Sequence, residues 1–147
     1  MTVNFRINQH SGSRLVGAMT KLGDFGPKHH GLVIGEGMHD GKTYVAESGE
    51  HGYQCVTVDE FGDRYKSNGK IEYYPNNGNL SGHEIAKRAV DEINKGGKRK
   101  YNVLFNNCES FVNRAVHGSP VSCQSVGVVL LIVGVCVVLY KGVARAA

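Results

Sequence analysis

The chain has 147 residues, of which 41% are hydrophobic and 20% are charged, and its formal net charge is +4. This length can bury a core without disulfide or metal staples, so the composition argues against a small disulfide scaffold and a disordered chain. Lys141 and Arg145 follow the uncharged apolar run 126–140, and without them the chain is nearly neutral. A nearly neutral body with scattered basic residues gives little support to nucleic-acid binding.

The N-terminus and the cysteines indicate in which cellular compartment the protein resides. The first ten residues, MTVNFRINQH, lack the apolar stretch of a secretory signal peptide, so the sequence does not predict export by that route. Cysteines stand at positions 55, 108, 123 and 136, and Cys136 lies inside the apolar run. The other three cannot all pair with one another, so we predict free thiols in a reducing compartment.

Short apolar segments in the first half predict an antiparallel sheet. Residues 2–7 alternate as a strand, whereas the Gly-rich, weakly periodic stretch 11–28 predicts a loop with one short helix around 15–22. Glycine-containing turns separate the later strands and favour a meander. These later strands are predicted at 30–35, 42–47, 53–58 and 70–74.

Two helices are predicted in the second half. Ser81 and Glu84 have capping-box spacing, and an apolar stripe follows until Gly96 and Gly97: Ile85, Ala86, Ala89, Val90 and Ile93. After a strand-like segment at 101–105, a second helix begins at Asn107 or Cys108 and ends near His117. Its predicted inward residues are Phe111, Val112, Ala115 and Val116.

The apolar run 126–140 predicts a membrane anchor. With its apolar neighbours it approaches the ~20 residues that span a bilayer as a helix, and Lys141 can reach the interface beyond it. A buried Val-rich core segment is the alternative, although a domain of this size rarely buries so long a run without a polar face. We therefore predict a globular body at 1–119 and a single-pass C-terminal anchor at 120–147, with the body in the cytosol.

Cys108 stands where a predicted helix begins. A helix N-terminus favours a thiolate, and its free backbone N–H groups can form an oxyanion hole. His29 and His30 begin an apolar strand, and because they point to opposite faces only one can face Cys108. A third polar group would fix the imidazole tautomer. A lone cysteine and two of seven histidines are more often incidental, so residue types alone also allow core roles.

Two segments carry a family resemblance. NNCESFVNRAVHG (106–118) resembles the Asn-Cys-Glu-His-Phe-Val box of the lecithin:retinol acyltransferase-like family, which includes small phospholipase A/acyltransferases and belongs to the permuted papain-like superfamily. HHGLVIGEG (29–37) resembles its upstream histidine box. The order of the boxes and the hydrophobic C-terminal segment agree as well, so the resemblance covers roughly residue 28 to the end. It implies an α+β thiol hydrolase fold, with an antiparallel meander sheet packed against helices.

The resemblance also implies site residues. It puts Cys108 on the family's nucleophile, with the Cys108 backbone N–H in the oxyanion hole, and His29 on the catalytic histidine. Glu47 falls at the family's second histidine, and a carboxylate can accept the imidazole N–H equally well. His30 is the backup base, and His39, in a lengthened turn, competes with Glu47.

The implied reaction is acyl transfer through a thioester on Cys108. The donor is a glycerophospholipid in a membrane, and the acceptor is water, an amine or a hydroxyl group. No cofactor or metal is implied, and no CxxC or HxxxH spacing supports a metal site. Ser110 replaces the histidine of the cysteine box but leaves Cys108 unchanged. A thiol peptidase or amidase of the same superfamily and a non-catalytic membrane-tethered adaptor remain alternatives.

Overall fold

The computed structural model describes residues 5–95, 107–119, 126–127, 129–131 and 133–136. Its strands form a six-stranded, wholly antiparallel sheet of order β5-β4-β3-β2-β6, in which β1 also pairs with β3. Three α-helices pack on it, which confirms the α+β class. The elements are β1 (Phe5–Arg6), β2 (Arg14–Ala18), β3 (Lys28–Gly37), β4 (Thr43–Gly49), β5 (Gly52–Thr57), α1 (Val58–Tyr65), β6 (Glu72–Tyr74), α2 (Gly82–Asn94) and α3 (Cys108–His117).

The stretch before β3 differs from the prediction. A loop with a helix around 15–22 was expected, but Arg14–Ala18 is strand β2, paired with β3 on one side and β6 on the other. Leu15 and Val16 are both buried although they point to opposite faces, so the polar alternation that marks a half-exposed strand is absent. The simple meander is also wrong at one point, because β6 pairs with β2 at the far edge and not with β5.

The two predicted helices are confirmed. Ser81 and Glu84 form the reciprocal capping box of α2. Helix α3 begins at Cys108, and Gly118 ends it in a left-handed conformation with φ of 72°. Helix α1 was not predicted, although Thr57 and Glu60 form a second capping box there. The predicted strand at 101–105 lies outside the described residues.

The helices cover both faces of the sheet. Helices α2 and α3 pack on one face, where Leu32, Ile34, Ala46, Ile85 and Phe111 are among the buried residues. Helix α1 packs on the other face, where Phe61 meets Leu15, Val33 and Val45.

Two glycines allow α1 to approach the sheet closely. A Cβ atom at Gly17 would lie 2.7 Å from Tyr65 Cβ of α1, and one at Gly31 would lie 3.1 Å from Phe61 Cε2 of α1 and 2.4 Å from Val45 Cγ1 on β4. Gly17 is the cross-strand partner of His29. The backbone next to His29 therefore lies directly beneath the C-terminal end of α1.

The predicted anchor at 120–147 lies mostly outside the described residues. Its described positions are helical, and six of them expose apolar side chains by 44–68%: Val126, Val129, Leu130, Leu131, Val133 and Val135. In the part of the chain that the structure describes, no helix has both the length and the apolar character needed to cross a bilayer.

Candidate active site

Cys108 is the first residue of α3 and lies against the start of β3. Its buried thiol donates a hydrogen bond to the Lys28 carbonyl oxygen at 3.8 Å. Asn107 caps the helix, since its Oδ1 accepts the Ser110 N–H at 2.8 Å and its carbonyl accepts the Phe111 N–H. The N–H groups of Cys108 and the residue after it have no acceptor inside the helix, so this end of α3 can stabilise negative charge.

His29 links the thiol to a buried carboxylate. Its Nε2 lies 2.8 Å from Glu47 Oε2, and both side chains are almost wholly buried. Because Nε2 donates to Glu47, Nδ1 is the ring nitrogen left for Cys108. Burial on its own would lower the pKa of His29, but interactions with the Cys108 and Glu47 side chains outweigh it and raise the pKa to about 9. The ring also stacks on Tyr65, with centroids 5.2 Å apart.

Glu47 is itself held by two further donors. It is fully buried on β4, and its Oε1 accepts hydrogen bonds of 2.6 Å from both Gln54 Nε2 and an Arg64 guanidinium nitrogen. Burial would raise the pKa of Glu47, but hydrogen bonds from His29 and Arg64 bring it below its usual value. The carboxylate is therefore ionised and fixed in orientation, and its negative charge stabilises a protonated His29.

The other candidate histidines lie elsewhere. His30 faces the opposite side of the sheet, where its Nδ1 lies 3.4 Å from an Arg14 guanidinium nitrogen. Burial and the Arg14 charge lower the pKa of His30 to about 4, so it is neutral near pH 7. His39 is exposed in the turn after β3, at the far end of that strand from His29. The structure thus brings Cys108, His29 and Glu47 together.

Sequence reasoning missed Gln54 and Arg64 as supports of the site. Gln54 is the cross-strand partner of Glu47 on β5, and Arg64 lies on the unpredicted helix α1. The Thr57–Glu60 capping-box spacing was the available signal for that helix. Ser110 is fully buried, and its Oγ has no hydrogen-bond partner among the described residues.

Comparison with known proteins agrees with the resemblance of the two boxes. The family model described as lecithin retinol acyltransferase matches residues 15–121, well over half of the chain. The match includes most of β2, which precedes the region of the resemblance, and it ends before the apolar run 126–140. No curated protein and no solved structure gives a significant match. The chain belongs to the lecithin retinol acyltransferase family, whose members are typically acyltransferases.

Proposed function

We propose that the protein is a thiol-dependent phospholipase A/acyltransferase that forms a Cys108 thioester from a glycerophospholipid. The observation that carries this proposal is the Cys108–His29–Glu47 cluster, in which a thiol at a helix N-terminus lies beside an imidazole that is fixed by a buried carboxylate. A nucleophile, a base and a group that orients the base are the parts that covalent acyl transfer requires. The relation to the permuted papain-like fold is part of the same proposal.

The first half of the reaction forms the acyl-enzyme. His29 holds the proton of the Cys108 thiol as an imidazolium, because its raised pKa of about 9 keeps it protonated near pH 7, and the sulfur attacks the ester carbonyl carbon. The negative charge moves to the carbonyl oxygen, where the Cys108 backbone N–H stabilises it. The carbon–oxygen ester bond then breaks, and His29 returns its proton to the departing lysophospholipid hydroxyl. The sulfur keeps the acyl group as a thioester.

The second half transfers the acyl group. Water, an amine or a hydroxyl group attacks the thioester carbon while His29 accepts the proton of the nucleophile. The carbon–sulfur bond breaks, and His29 keeps the proton beside the released sulfur, which restores the starting state. Glu47 stabilises the imidazolium in both halves, which is consistent with the raised pKa of His29.

Intact-mass analysis tests the proposed acyl-enzyme. After brief incubation with phosphatidylcholine in mixed micelles and an acid quench, we expect the intact protein to gain the mass of one acyl group. Peptide mapping should place this group on a peptide that contains Cys108. His29→Ala should abolish this adduct, whereas His39→Ala replaces an exposed histidine at the far end of β3 and should retain it.

The alternatives give different results in the same experiment. A thiol peptidase or amidase would form no adduct with phospholipid but would react with an activated peptide or amide substrate. A non-catalytic adaptor would form no adduct with either substrate. An adduct of equal yield in His29→Ala would contradict the role of His29 as the base.

A membrane partner is supported by the loop between β2 and β3. Met19, Leu22 and Phe25 are exposed by 46%, 66% and 97%. The loop leads directly into Lys28 and His29, so these apolar side chains lie at the same end of β3 as Cys108. Exposed apolar side chains beside an interfacial site favour insertion into the lipid surface. The proposed anchor at 120–147 would keep the body near the same bilayer.

Tryptophan substitution provides a direct test, because the chain has no tryptophan. In Phe25→Trp we expect a blue shift of the emission and strong quenching by brominated phosphatidylcholine vesicles, because the side chain enters the acyl region. Met38→Trp is the matched control, since Met38 is 62% exposed at the opposite end of β3 and should stay in water. Equal responses of the two variants would contradict insertion of this loop.

A further inference from the structure

A cavity of about 400 Å³ opens beside the site on the face of the sheet opposite α1. It lies over β2, β6 and the first residues of β3, and the C-terminal end of α3 forms another wall. Its polar lining includes Arg14, Lys28, His30, Glu72, Tyr74 and His117. The proposed acyl transfer uses none of these side chains.

Helix α3 connects this cavity to the thiol. Cys108 stands at the first residue of the helix and His117, in the cavity wall, at its last. Lys28 also belongs to both places, because its carbonyl oxygen contacts the Cys108 sulfur while the residue lines the cavity. Cys108 itself does not line the cavity, so Lys28 is the residue that joins the thiol to it.

The sheet arranges the charges of the cavity in a definite order. Val16 pairs with His30 on one side and with Glu72 on the other, so Glu72 lies two strands, or about 10 Å, from His30. Lys28 precedes His30 on β3, near Cys108. Moving away from the thiol, the cavity therefore presents the Lys28 end first and the Glu72 carboxylate last.

The backbone of Arg14 pairs with Leu32, two residues farther along β3 than His30. The Arg14 guanidinium, however, reaches back to His30, between the Lys28 end and Glu72. Arg14 stands on β2, the strand between β3 and β6, and its guanidinium contacts His30 Nδ1 and Asn113 Oδ1. At the far end the Glu72 carboxylate accepts a hydrogen bond of 2.8 Å from the Tyr74 hydroxyl. Two cations thus lie between the thiol and a carboxylate.

We propose that this cavity binds the head group of a zwitterionic glycerophospholipid, with the phosphate at Lys28 and Arg14 and the amine end at Glu72. In such a lipid the order of groups is acyl ester, phosphate and then amine, which matches the order of thiol, cations and carboxylate. The inference rests on the proposed function, because the same molecule supplies the ester that Cys108 attacks. It adds selectivity between head groups, which the Cys108–His29–Glu47 cluster does not provide.

Water-soluble substrates test this subsite without membrane binding. The full chain is assayed with monomeric dihexanoyl phosphatidylcholine and with 4-nitrophenyl butyrate, which has no head group. In Arg14→Gln and in Lys28→Gln we expect the ratio of kcat/KM values, phosphatidylcholine over nitrophenyl ester, to fall about tenfold, mainly through KM, because a charge-assisted contact to the phosphate is lost. Lys42→Gln, an exposed lysine in the turn after β3, is the control and should keep the ratio.

Glu72→Gln tests the amine end separately. Without the carboxylate, the preference for dihexanoyl phosphatidylcholine over dihexanoyl phosphatidic acid should fall about fivefold, because the quaternary ammonium of choline loses its counter-charge. This variant removes no cation. Its effect should therefore appear in the comparison of phosphatidylcholine with phosphatidic acid, whereas the effect of Lys28→Gln appears in the comparison of phosphatidylcholine with the nitrophenyl ester.

The head-group subsite would be wrong if Arg14→Gln and Lys28→Gln left the ratio of phosphatidylcholine to nitrophenyl-ester activity unchanged and Glu72→Gln left the preference over phosphatidic acid unchanged. Equal losses of activity on phosphatidylcholine and on the nitrophenyl ester would also contradict it. A wild-type protein that forms the thioester with the nitrophenyl ester but does not turn over phosphatidylcholine would overturn it as well, while leaving the thiol chemistry in place. A wild-type protein that forms no acyl-enzyme with any ester contradicts the proposed function itself.

Discussion

Replacement of Cys108 by serine should lower kcat/KM for phosphatidylcholine by about a thousandfold or more. A hydroxyl is a far weaker nucleophile than a thiolate at neutral pH, and loss of a nucleophile commonly costs this much or more. The substitution is nearly isosteric in a buried position, so the fold should be retained. Fatty-acid release from mixed micelles measures the loss, and thermal unfolding checks the fold.

Cys55 is the matched control for this substitution. It is a half-buried free thiol on β5, and burial together with the Glu47 charge raises its pKa to about 11, so it is protonated at pH 7. Cys55→Ser should keep most of the activity, and iodoacetamide should modify Cys108 faster than Cys55. If Cys108→Ser retained full activity, or if the two thiols reacted at equal rates, the thioester mechanism would be wrong.

Replacement of Glu47 by glutamine should lower kcat by up to about ten-thousandfold, the loss seen when an amide replaces the carboxylate of a Ser-His-Asp triad. The amide cannot stabilise an imidazolium, and it leaves the Arg64 charge without its carboxylate. The pKa of His29 should fall below its value of about 9. A pH–rate profile with 4-nitrophenyl butyrate should show the alkaline loss of activity moving from near pH 9 to lower pH.

Arg64 supplies the control for Glu47. Arg64→Gln keeps the carboxylate but removes one of its donors, so its effect on kcat should be smaller, and because it also removes a cation close to His29, the pKa of His29 should not fall. If Arg64 acts through Glu47, the double variant should lose little more activity than Glu47→Gln alone. Additive losses, or a profile that stays near pH 9 in Glu47→Gln, would contradict the orienting role of Glu47.

The same pKa change predicts a pH dependence of stability. The folded-state pKa of His29 lies above its ordinary value of 6.5, so the folded protein holds this proton more tightly than the unfolded chain. The resulting stabilisation is complete below about pH 6.5 and is lost as the pH rises through about 9. In Glu47→Gln this alkaline loss of stability should be smaller.

The sequence predicted the elements that have complete local signals. Helix α2 has its capping box and stripe, and α3 begins at Cys108 and ends at Gly118. The opposite faces of His29 and His30 followed from strand geometry. Strand β2 lacked a signal because both of its faces are buried, and α1 was obscured because it starts at the end of β5 with only Phe61 fully buried.

These missed elements explain why the supports of the site were missed. Arg64 is one short turn of helix away from the Phe61 contact, and nothing in its local sequence relates it to Glu47. The predicted position of Glu47 came from the family's histidine box, whereas its burial and its two donors depend on how α1 and β5 pack. Tertiary packing therefore determines the protonation state of a residue whose place in the chain could be predicted.

The resemblance predicts that Glu47 takes the place of a family histidine, and its surroundings suit a carboxylate. The Arg64 cation would repel a protonated imidazole at this position, whereas it stabilises the carboxylate and holds its second oxygen away from His29. Helix α1 thus supplies a cation that suits a carboxylate at this position of β4. A histidine at position 47 would require a change at Arg64 as well.

The closeness of α1 to the sheet limits how the sequence can vary. Gly17 and Gly31 leave no room for a side chain, and α1 carries both Tyr65, which stacks on His29, and Arg64, which holds Glu47. A methyl group at Gly17 would displace Tyr65 and the end of the helix, and so disturb both the stacking on His29 and the Arg64 contact to Glu47. Substitutions at these glycines could therefore reduce catalysis although they touch no reacting atom. A larger residue at one of them should be tolerated only together with a smaller residue on the facing side of α1.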